Sequence, residues 1–148
     1  MARFARPGRV LWLGLRPDRR APMQAAETVD ITLAGLDGDR AKAGKRAVTL
    51  VQFEHLAAIA AYLGQTAVAF EDLRRNIAVS GLNLAALKGR DLRVGTAILH
   101  IEGICAPCSR MEETFGTGGY SAVRGHGGWC ASVIEQGRVR LGDPVEPI

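Results

Sequence analysis

Three features are scarce in this chain of 148 residues, and each scarcity excludes a class of protein. Its three cysteines, Cys105, Cys108 and Cys130, are too few and too unevenly spaced for a disulfide framework. Aromatic residues make up 5% of the chain, which argues against a protein that stacks nucleic-acid bases on aromatic rings. The longest apolar run, residues 56–63, falls far short of the roughly 18 residues that span a membrane. The apolar patch at 10–15 is also too short for a signal peptide. We therefore expect a cytoplasmic protein that binds neither membrane nor nucleic acid.

The composition that remains is that of an ordered globular protein. Apolar residues make up 47% and charged residues 23%, which is enough apolar surface for a core and predicts a single domain over residues 1–148. The net charge of +4 favours an anionic ligand. Arginines are crowded near the start, where only Asp18 opposes them: Arg3, Arg6, Arg9, Arg16, Arg19 and Arg20.

The hydrophobic pattern predicts many short strands and one convincing helix. Strands are predicted at 10–15, 26–33, 48–51 and 76–80, with hairpins formed by 92–94 with 97–104 and by 129–135 with 138–141. Apolar residues recur at helical spacing over 52–63, and Gly64 is suited to end that helix. The glycine-rich stretch 103–128 is predicted as a long loop with a short helix near 109–114. Because strands and helices do not alternate, we expect a mainly β protein, a twisted or partly closed barrel with short accessory helices.

The sharpest local motif is Cys105-Ala106-Pro107-Cys108, and its chemistry has several interpretations. It could be a dithiol redox pair, although such pairs belong to βαβ units. It could bind zinc together with His126 and Cys130. It could hold one activated thiolate, with Cys108 at the start of a short helix and Arg110 nearby lowering its pKa. It could also be a buried and inert cysteine pair, since free cysteine is commonly buried.

Two polar clusters could hold a ligand. Arg74-Arg75-Asn76 precedes an apolar strand, and its guanidinium groups suit a phosphate or carboxylate. Asp39 and Arg40 lie in a turn-rich loop, where they could position a ligand. For both clusters the competing interpretation is a solvated loop or a turn stabilised by Asp and Gly.

The three histidines differ in their expected roles. His55 lies off the main apolar stripe of the predicted helix, so we expect a surface or loop-contacting side chain. His100 alternates with apolar residues on a strand and is assigned no role. His126 lies in the glycine-rich stretch, where it could line a pocket.

The order of these motifs resembles that of a MOSC domain, the module named for the C-terminal part of molybdenum cofactor sulfurases. The pieces that carry the resemblance are, in order, the sequences GLDGDR at 35–40, VTLVQ at 48–52, RRNI at 74–77, GLNL at 81–84, CAPCSRME at 105–112 and GDPV at 142–145. The resemblance extends from about residue 9 to the C-terminus. It implies a mostly β, barrel-like fold, in agreement with the strand pattern.

The resemblance also implies a molybdenum–pterin cofactor and assigns residues to it. Cys108 corresponds to the cysteine that ligates the metal, while Arg74 and Asn76 correspond to residues that hold the anionic end of the cofactor. We place Asp39, Arg40 and His126 among the cofactor contacts as well, with Asp39 and His126 towards the substrate side. The implied activity is reduction of N-hydroxylated compounds such as hydroxylamino purines or amidoximes, with electrons supplied by a partner protein.

Two alternative functions use the same cysteines differently. In the sulfurases the domain is joined to a pyridoxal-phosphate desulfurase, and 148 residues leave no room for one. The chain could instead carry persulfide sulfur on Cys108, received from a separate desulfurase. It could also be a small binding module stabilised by zinc through Cys105, Cys108, His126 and Cys130. Larger amidoxime-reducing relatives add an N-terminal β domain, which the early arginines or a second copy of the chain would replace.

Overall fold

The computed structural model describes residues 3–105 and 110–148, so Cys108 lies outside the described residues. Within these ranges the strands are β1 (Gly8–Leu15), β2 (Gln24–Ala26), β3 (Thr28–Thr32), β4 (Gly35–Leu36), β5 (Val48–Gln52), β6 (Ile77–Ser80), β7 (Asp91–Val94), β8 (Ala97–Ile104), β9 (Trp129–Glu135), β10 (Gly137–Arg140) and β11 (Pro144–Pro147). The helices are α1 (Phe53–Leu63), α2 (Phe70–Leu73), α3 (Arg110–Phe115) and α4 (Gly119–Val123), with a 3-10 helix at Leu84–Leu87.

Seven strands close into a barrel, which confirms the predicted mainly β fold. Their order is β11-β7-β8-β9-β5-β6-β1, and β1 pairs with β11 to complete the ring. The closing register sets Gly8 opposite Val145 and Arg9 opposite Pro144. Short β2 pairs with the far end of β1. The predicted hairpin between β7 and β8 is confirmed, with Gly95-Thr96 at its turn.

The second predicted hairpin is wrong, because β10 does not pair with β9. It pairs with β3, in a small sheet of order β10-β3-β4. One edge of β9 pairs with β8, and residues 129–131 of the other edge pair with β5. The pairing with β3 sets Val139 of β10 opposite Val29, and both side chains are buried in the core, which favours this partner although only Gln136 separates β10 from β9.

The core has two parts that meet at β5. The barrel interior is aliphatic and includes Leu50, whereas Val51, the next residue, faces a second cluster beneath the helices. All five residues of β5 are therefore buried. Its two polar residues, Thr49 and Gln52, are buried as well, and their side chains are satisfied by hydrogen bonds.

The predicted helix at 52–63 is confirmed as α1. Leu56, Ile59 and Ala60 form its buried face against the outside of the barrel. Gly64 adopts the left-handed conformation, φ 69°, and its N–H caps the carbonyl groups of the last turn. Over residues 3–105 and 110–148, no helix combines the length and the apolar character needed to cross a membrane.

The glycine-rich segment holds more structure than its sequence predicts. The short helix expected near 109–114 is present as α3, but α4 was not predicted. Gly119 begins α4 so close to α3 that an added Cβ would lie 2.2 Å from the carbonyl oxygen of Met111. A glycine here therefore marks close helix packing rather than a loop.

Candidate functional site

A buried asparagine organises the polar side of the barrel. Asn76 is fully buried at the start of β6, and its Oδ1 accepts hydrogen bonds from the N–H and the Oγ1 of Thr49, each at 3.1 Å. Its Nδ2 donates to the carbonyl of Gly14 and to Oδ1 of Asp39, also at 3.1 Å each. One side chain thus joins β1, β5, β6 and the loop after β4.

Asp39 connects this network to Arg16 through hydrogen bonds. Its Oδ1 accepts from the backbone N–H of Arg16 at 2.7 Å and from Nε at 3.2 Å, while Oδ2 accepts from Nη2 at 3.0 Å and from Ala41 N–H at 3.0 Å. Burial by itself raises the pKa of Asp39, but the hydrogen bonds and charge of Arg16 outweigh it, and the pKa is lowered overall. The carboxylate is therefore ionised and fixed.

Above this network lies a cavity of about 510 Å³ whose lining is strongly cationic. Thr49, which bonds Asn76, lies in its wall, so the cavity sits directly on the buried network. The basic residues that line it are Arg16, Arg40, Lys42, Lys45, Arg46 and Arg75.

A second cavity of about 300 Å³ adjoins the first, since Arg16, Arg40, Arg46 and Arg75 line both. It adds further arginines, namely Arg19, Arg20, Arg74 and Arg110. Glu113 is the one carboxylate among the described residues that line either cavity. We call the two cavities together the basic cleft.

The charges in the basic cleft are mostly not neutralised by the protein. In the part of the chain that the structure describes, Arg16 alone among the cleft cations forms a salt bridge, with Asp39. Burial lowers the pKa of Arg74, and the charges of Arg110, Arg16 and Arg40 lower it further. Crowded like charges of this kind are relieved when an anion binds between them.

Arg74 lies in the lining of the cleft and binds the loop between β1 and β2. Its Nη1 donates to the carbonyl of Ala21 at 2.7 Å, and Nη2 is 3.4 Å from the carbonyl oxygens of Asp18 and Arg19. Its backbone is left-handed, φ 55°, which is costly for a residue with a side chain. The strained backbone aims the guanidinium at the loop between β1 and β2, which carries Arg19 and Arg20.

Cys105 and Cys130 lie near Arg46 and Arg75 but are not among the described residues that line the basic cleft. Arg75 donates through Nε to the carbonyl of Gly127, and the next carbonyl, of Gly128, accepts from Cys105 N–H at 2.8 Å. The Sγ atoms of Cys105 and Cys130 are 2.8 Å apart and both residues are buried. The hydrogen bond between the two thiols lowers the pKa of Cys130, against burial, and Arg46 and Arg75 lower it further.

The structure brings some of the predicted site residues together and separates another. Arg40 and Arg74 line the basic cleft, while Asn76 and Asp39 lie beneath it and support Arg16. Cofactor contacts by these residues remain predictions. Cys108 lies outside the described residues.

His126 lies elsewhere. Its Nδ1 is 3.3 Å from Nδ1 of His55, and its ring lies near that of Tyr62 on α1. The expectation that His55 contacts a loop is therefore confirmed. His126 is not among the described residues that line the basic cleft, and its role on the substrate side remains a prediction. Across residues 3–105 and 110–148, no three His, Cys, Asp or Glu side chains are grouped to hold a metal, so His126 does not join Cys105 and Cys130 there.

Among the cleft arginines, Arg46 was not predicted as a site residue, and Arg110 was expected only as a neighbour of Cys108. The crowding of arginine at the start of the chain was the available signal for Arg16, Arg19 and Arg20. Guanidinium groups form bidentate hydrogen bonds with phosphate and carboxylate, so the lining of the basic cleft suits an anion with several charges.

Comparison with known proteins identifies the fold and the family. The MOSC domain family model matches residues 36–146, well over half of the chain. The crystal structure of the YuaD protein from Bacillus subtilis has a TM-score of 0.84 at 21% identity and covers 96% of both chains. YiiM from Escherichia coli has a TM-score of 0.73 at 23% identity, covering 95% of this chain and 69% of its own. YiiM from Geobacillus stearothermophilus has a TM-score of 0.77 at 16% identity, covering 96% and 75%. These structures share the fold, and no curated protein matches the chain.

Proposed function

The chain belongs to the MOSC domain family, and on this premise we propose that its basic cleft holds the anionic end of a molybdenum–pterin cofactor in a reductase of N-hydroxylated compounds. The observation that carries the proposal is the charge of the cleft. Among the residues that the structure describes, ten cationic side chains and one carboxylate line the two adjoining cavities. Such an excess of guanidinium groups stabilises phosphate far better than a neutral ligand.

The donor set fits the anionic end of this cofactor. Arg40, Arg46 and Arg75 line both cavities and are free of salt bridges within the described ranges. Arg75 is held by its Nε bond to Gly127, which fixes the direction of its guanidinium group. A guanidinium held in advance loses less side-chain entropy when it binds a phosphate. These three arginines would hold the phosphate of the cofactor.

Asn76 and Asp39 act as positioning residues in this proposal. Asn76 fixes the carboxylate of Asp39, and that carboxylate fixes the guanidinium and the backbone of Arg16. Backbone N–H of Arg40 in turn donates to the carbonyl of Arg16 at 2.8 Å. Loss of either side chain would therefore disturb Arg16 and Arg40 together.

Cys108 is the proposed ligand for molybdenum, because thiolate is a soft ligand that suits this metal. When bound, the cofactor would supply the redox chemistry, and the protein would supply binding and orientation. Electrons would come from a separate donor protein. Arg16, Arg19 and Arg20 would add contacts to the same anionic group.

The test is metal and pterin analysis of protein expressed in a host that makes the cofactor. We expect stoichiometric molybdenum and pterin in the native protein, and loss of molybdenum in Cys108→Ala. Arg75→Gln should lose pterin, whereas Arg93→Gln, an exposed arginine on β7, is the matched control and should retain it. Equal cofactor in native protein and Cys108→Ala would contradict the ligand assignment.

The same experiment separates the sulfur-carrier alternative. A carrier would hold cyanide-labile sulfur on Cys108 and no molybdenum. Reductase activity is then assayed on a hydroxylamino purine with a chemical electron donor, and a loaded protein that reduces neither this compound nor an amidoxime would contradict the proposed reaction.

A further inference from the structure

We propose that Cys105 and Cys130 form a redox-active pair beside two arginines of the basic cleft, with Cys130 as the nucleophile and Cys105 as the resolving thiol. The pair is separate from Cys108, the residue that the proposed function requires. The inference therefore goes beyond that function and stands or falls independently of it.

The two sulfur atoms are already placed for bond formation. Their Sγ atoms are 2.8 Å apart, and a disulfide needs a separation of about 2.05 Å, so only a small approach is required. Both backbones are anchored. Cys105 donates its N–H to the carbonyl of Gly128, and Cys130 lies within β9, opposite Thr49 of β5.

The surroundings distinguish the two cysteines. Arg46 and Arg75 lie near the pair and line both cavities of the basic cleft, so the pair borders the cleft. Cys130 keeps 7% of its surface exposed and Cys105 keeps 1%, which gives Cys130 the better access to a small reagent. The hydrogen bond between the two sulfur atoms raises the pKa of Cys105, and burial raises it further, whereas the same bond lowers the pKa of Cys130. The thiolate of the pair is therefore on Cys130.

Because so little of Cys130 is exposed, the oxidant must be small, and we name hydrogen peroxide. The Cys130 thiolate attacks one oxygen, the O–O bond breaks, and Cys130 becomes a sulfenic acid as hydroxide leaves. Cys105 thiol then attacks the sulfur of the sulfenic acid, the S–O bond breaks, and water forms with the proton from Cys105. The dithiol is oxidised by two electrons and the peroxide is reduced to water and hydroxide.

The disulfide would change the basic cleft in two ways. It would close residues 105–130 into a covalent loop that contains α3, α4 and Cys108. It would also remove the negative charge of the Cys130 thiolate from beside Arg46 and Arg75. Those guanidinium groups would then attract an anion more strongly, and we expect oxidation to tighten anion binding by about threefold to tenfold.

The experiment uses the Cys108→Ser variant, in which Cys105 and Cys130 are the remaining cysteines. Treatment with hydrogen peroxide should remove both thiols together, and a tryptic digest should contain peptide 94–110 cross-linked to peptide 125–138. In Cys108→Ser/Cys105→Ser, Cys130 should accumulate as a sulfenic acid that dimedone traps. In Cys108→Ser/Cys130→Ser, Cys105 should react at least about tenfold more slowly. Thermal melting confirms that each variant is folded.

Two results would overturn the inference. The first is that both thiols of folded Cys108→Ser persist at peroxide concentrations that oxidise free cysteine, or that the disulfides formed are between molecules. The second is that Cys105 and Cys130 react at the same rate when each is alone, which would reject the assigned roles. Pyrophosphate binding is then measured by calorimetry on reduced and oxidised Cys108→Ser, and equal affinities would reject the coupling to the cleft.

Discussion

The side-chain amide of Asn76 donates a hydrogen bond to the carboxylate of Asp39 across 3.1 Å, which ties β6 to the loop that follows β4. The two residues are 37 positions apart, and the contact places the loop that carries Arg40 over the polar end of the barrel. The floor of the basic cleft is thus a buried hydrogen-bond network rather than a packed apolar surface. Four predictions follow from this cleft and its supports, and each has its own measurement.

Substitution Asn76→Ala should destabilise the protein by about 2–4 kcal/mol, because it leaves buried groups of Thr49 and Gly14 without hydrogen-bond partners. The free energy of unfolding in urea measures this loss. Asn83→Ala is the control, since the Asn83 side chain is exposed and accepts one backbone hydrogen bond, from Ala85. That change should cost about 1 kcal/mol. Similar losses in the two variants would contradict the central role of Asn76.

Asp39 should make stability depend on pH in the acid range. The pKa of this carboxyl is lower in the folded chain than in the unfolded one, so its contribution is present above the unfolded value of about 4 and is lost as the pH falls through the folded pKa. Asp39→Asn should lower the free energy of unfolding at pH 7 by about 2–4 kcal/mol. The variant should also lose less stability than the native protein as the pH falls. Unfolding free energies from pH 7 to pH 3 measure both effects. Asp37 is an exposed neighbour of Asp39, so Asp37→Asn is the control, and its free energy of unfolding should change with pH as that of the native protein does.

Two substitutions of Arg74 distinguish the cost of its left-handed backbone from the effect of losing its side chain. Both Arg74→Ala and Arg74→Gly remove the hydrogen bond to Ala21, but only glycine adopts φ 55° without strain. The glycine variant should therefore be more stable than the alanine variant by about 1 kcal/mol, the reverse of the usual order. Thermal unfolding measures the difference. An alanine variant as stable as the glycine variant would show that the left-handed backbone carries no cost here.

Anion binding by the basic cleft should depend on individual arginines and on salt. Arg46→Gln and Arg75→Gln should each weaken pyrophosphate binding about tenfold, since each removes a charged hydrogen-bond donor from both cavities. Arg93→Gln on β7 should leave the affinity unchanged. Calorimetry at increasing salt should show weaker binding as the charges are screened. Equal affinity of all three variants would mean that the anion binds elsewhere.

Local sequence patterns predicted the elements whose interactions are themselves local. The spacing of Leu56, Ile59 and Ala60 predicted α1, because residues three and four apart share a helix face, and Gly64 predicted its end. Gly95-Thr96 between two apolar runs predicted the β7–β8 hairpin, because a two-residue turn pairs the strands on either side of it. The order of motifs pointed to the MOSC family, which the family model confirms.

Local sequence patterns could not predict the pairings and contacts between segments that are distant in the chain. The sequence placed β10 beside β9, but β10 pairs with β3, where Val139 and Val29 are buried opposite each other although they are far apart in the chain. The proximity of Cys105 to Cys130 follows from the pairing of β8 with β9, not from the Cys-Ala-Pro-Cys motif.

The amino-acid sequence by itself determined the chemistry available to this protein: an excess of arginine, three thiols, an aliphatic core and the strands and helix that bury it. The tertiary structure alone decided where the arginines meet. Segments around residues 16–20, 40–46 and 74–75 converge on one cleft because β1, β6 and β5 are neighbours in the sheet, and the end of antiparallel β1 lies beside the starts of β5 and β6. Arg110 joins them through its hydrogen bond to the carbonyl of Arg19. Hydrophobic burial drives that strand pairing without regard to charge, and the buried network of Asn76, Asp39 and Arg16 then holds part of the concentrated charge in place.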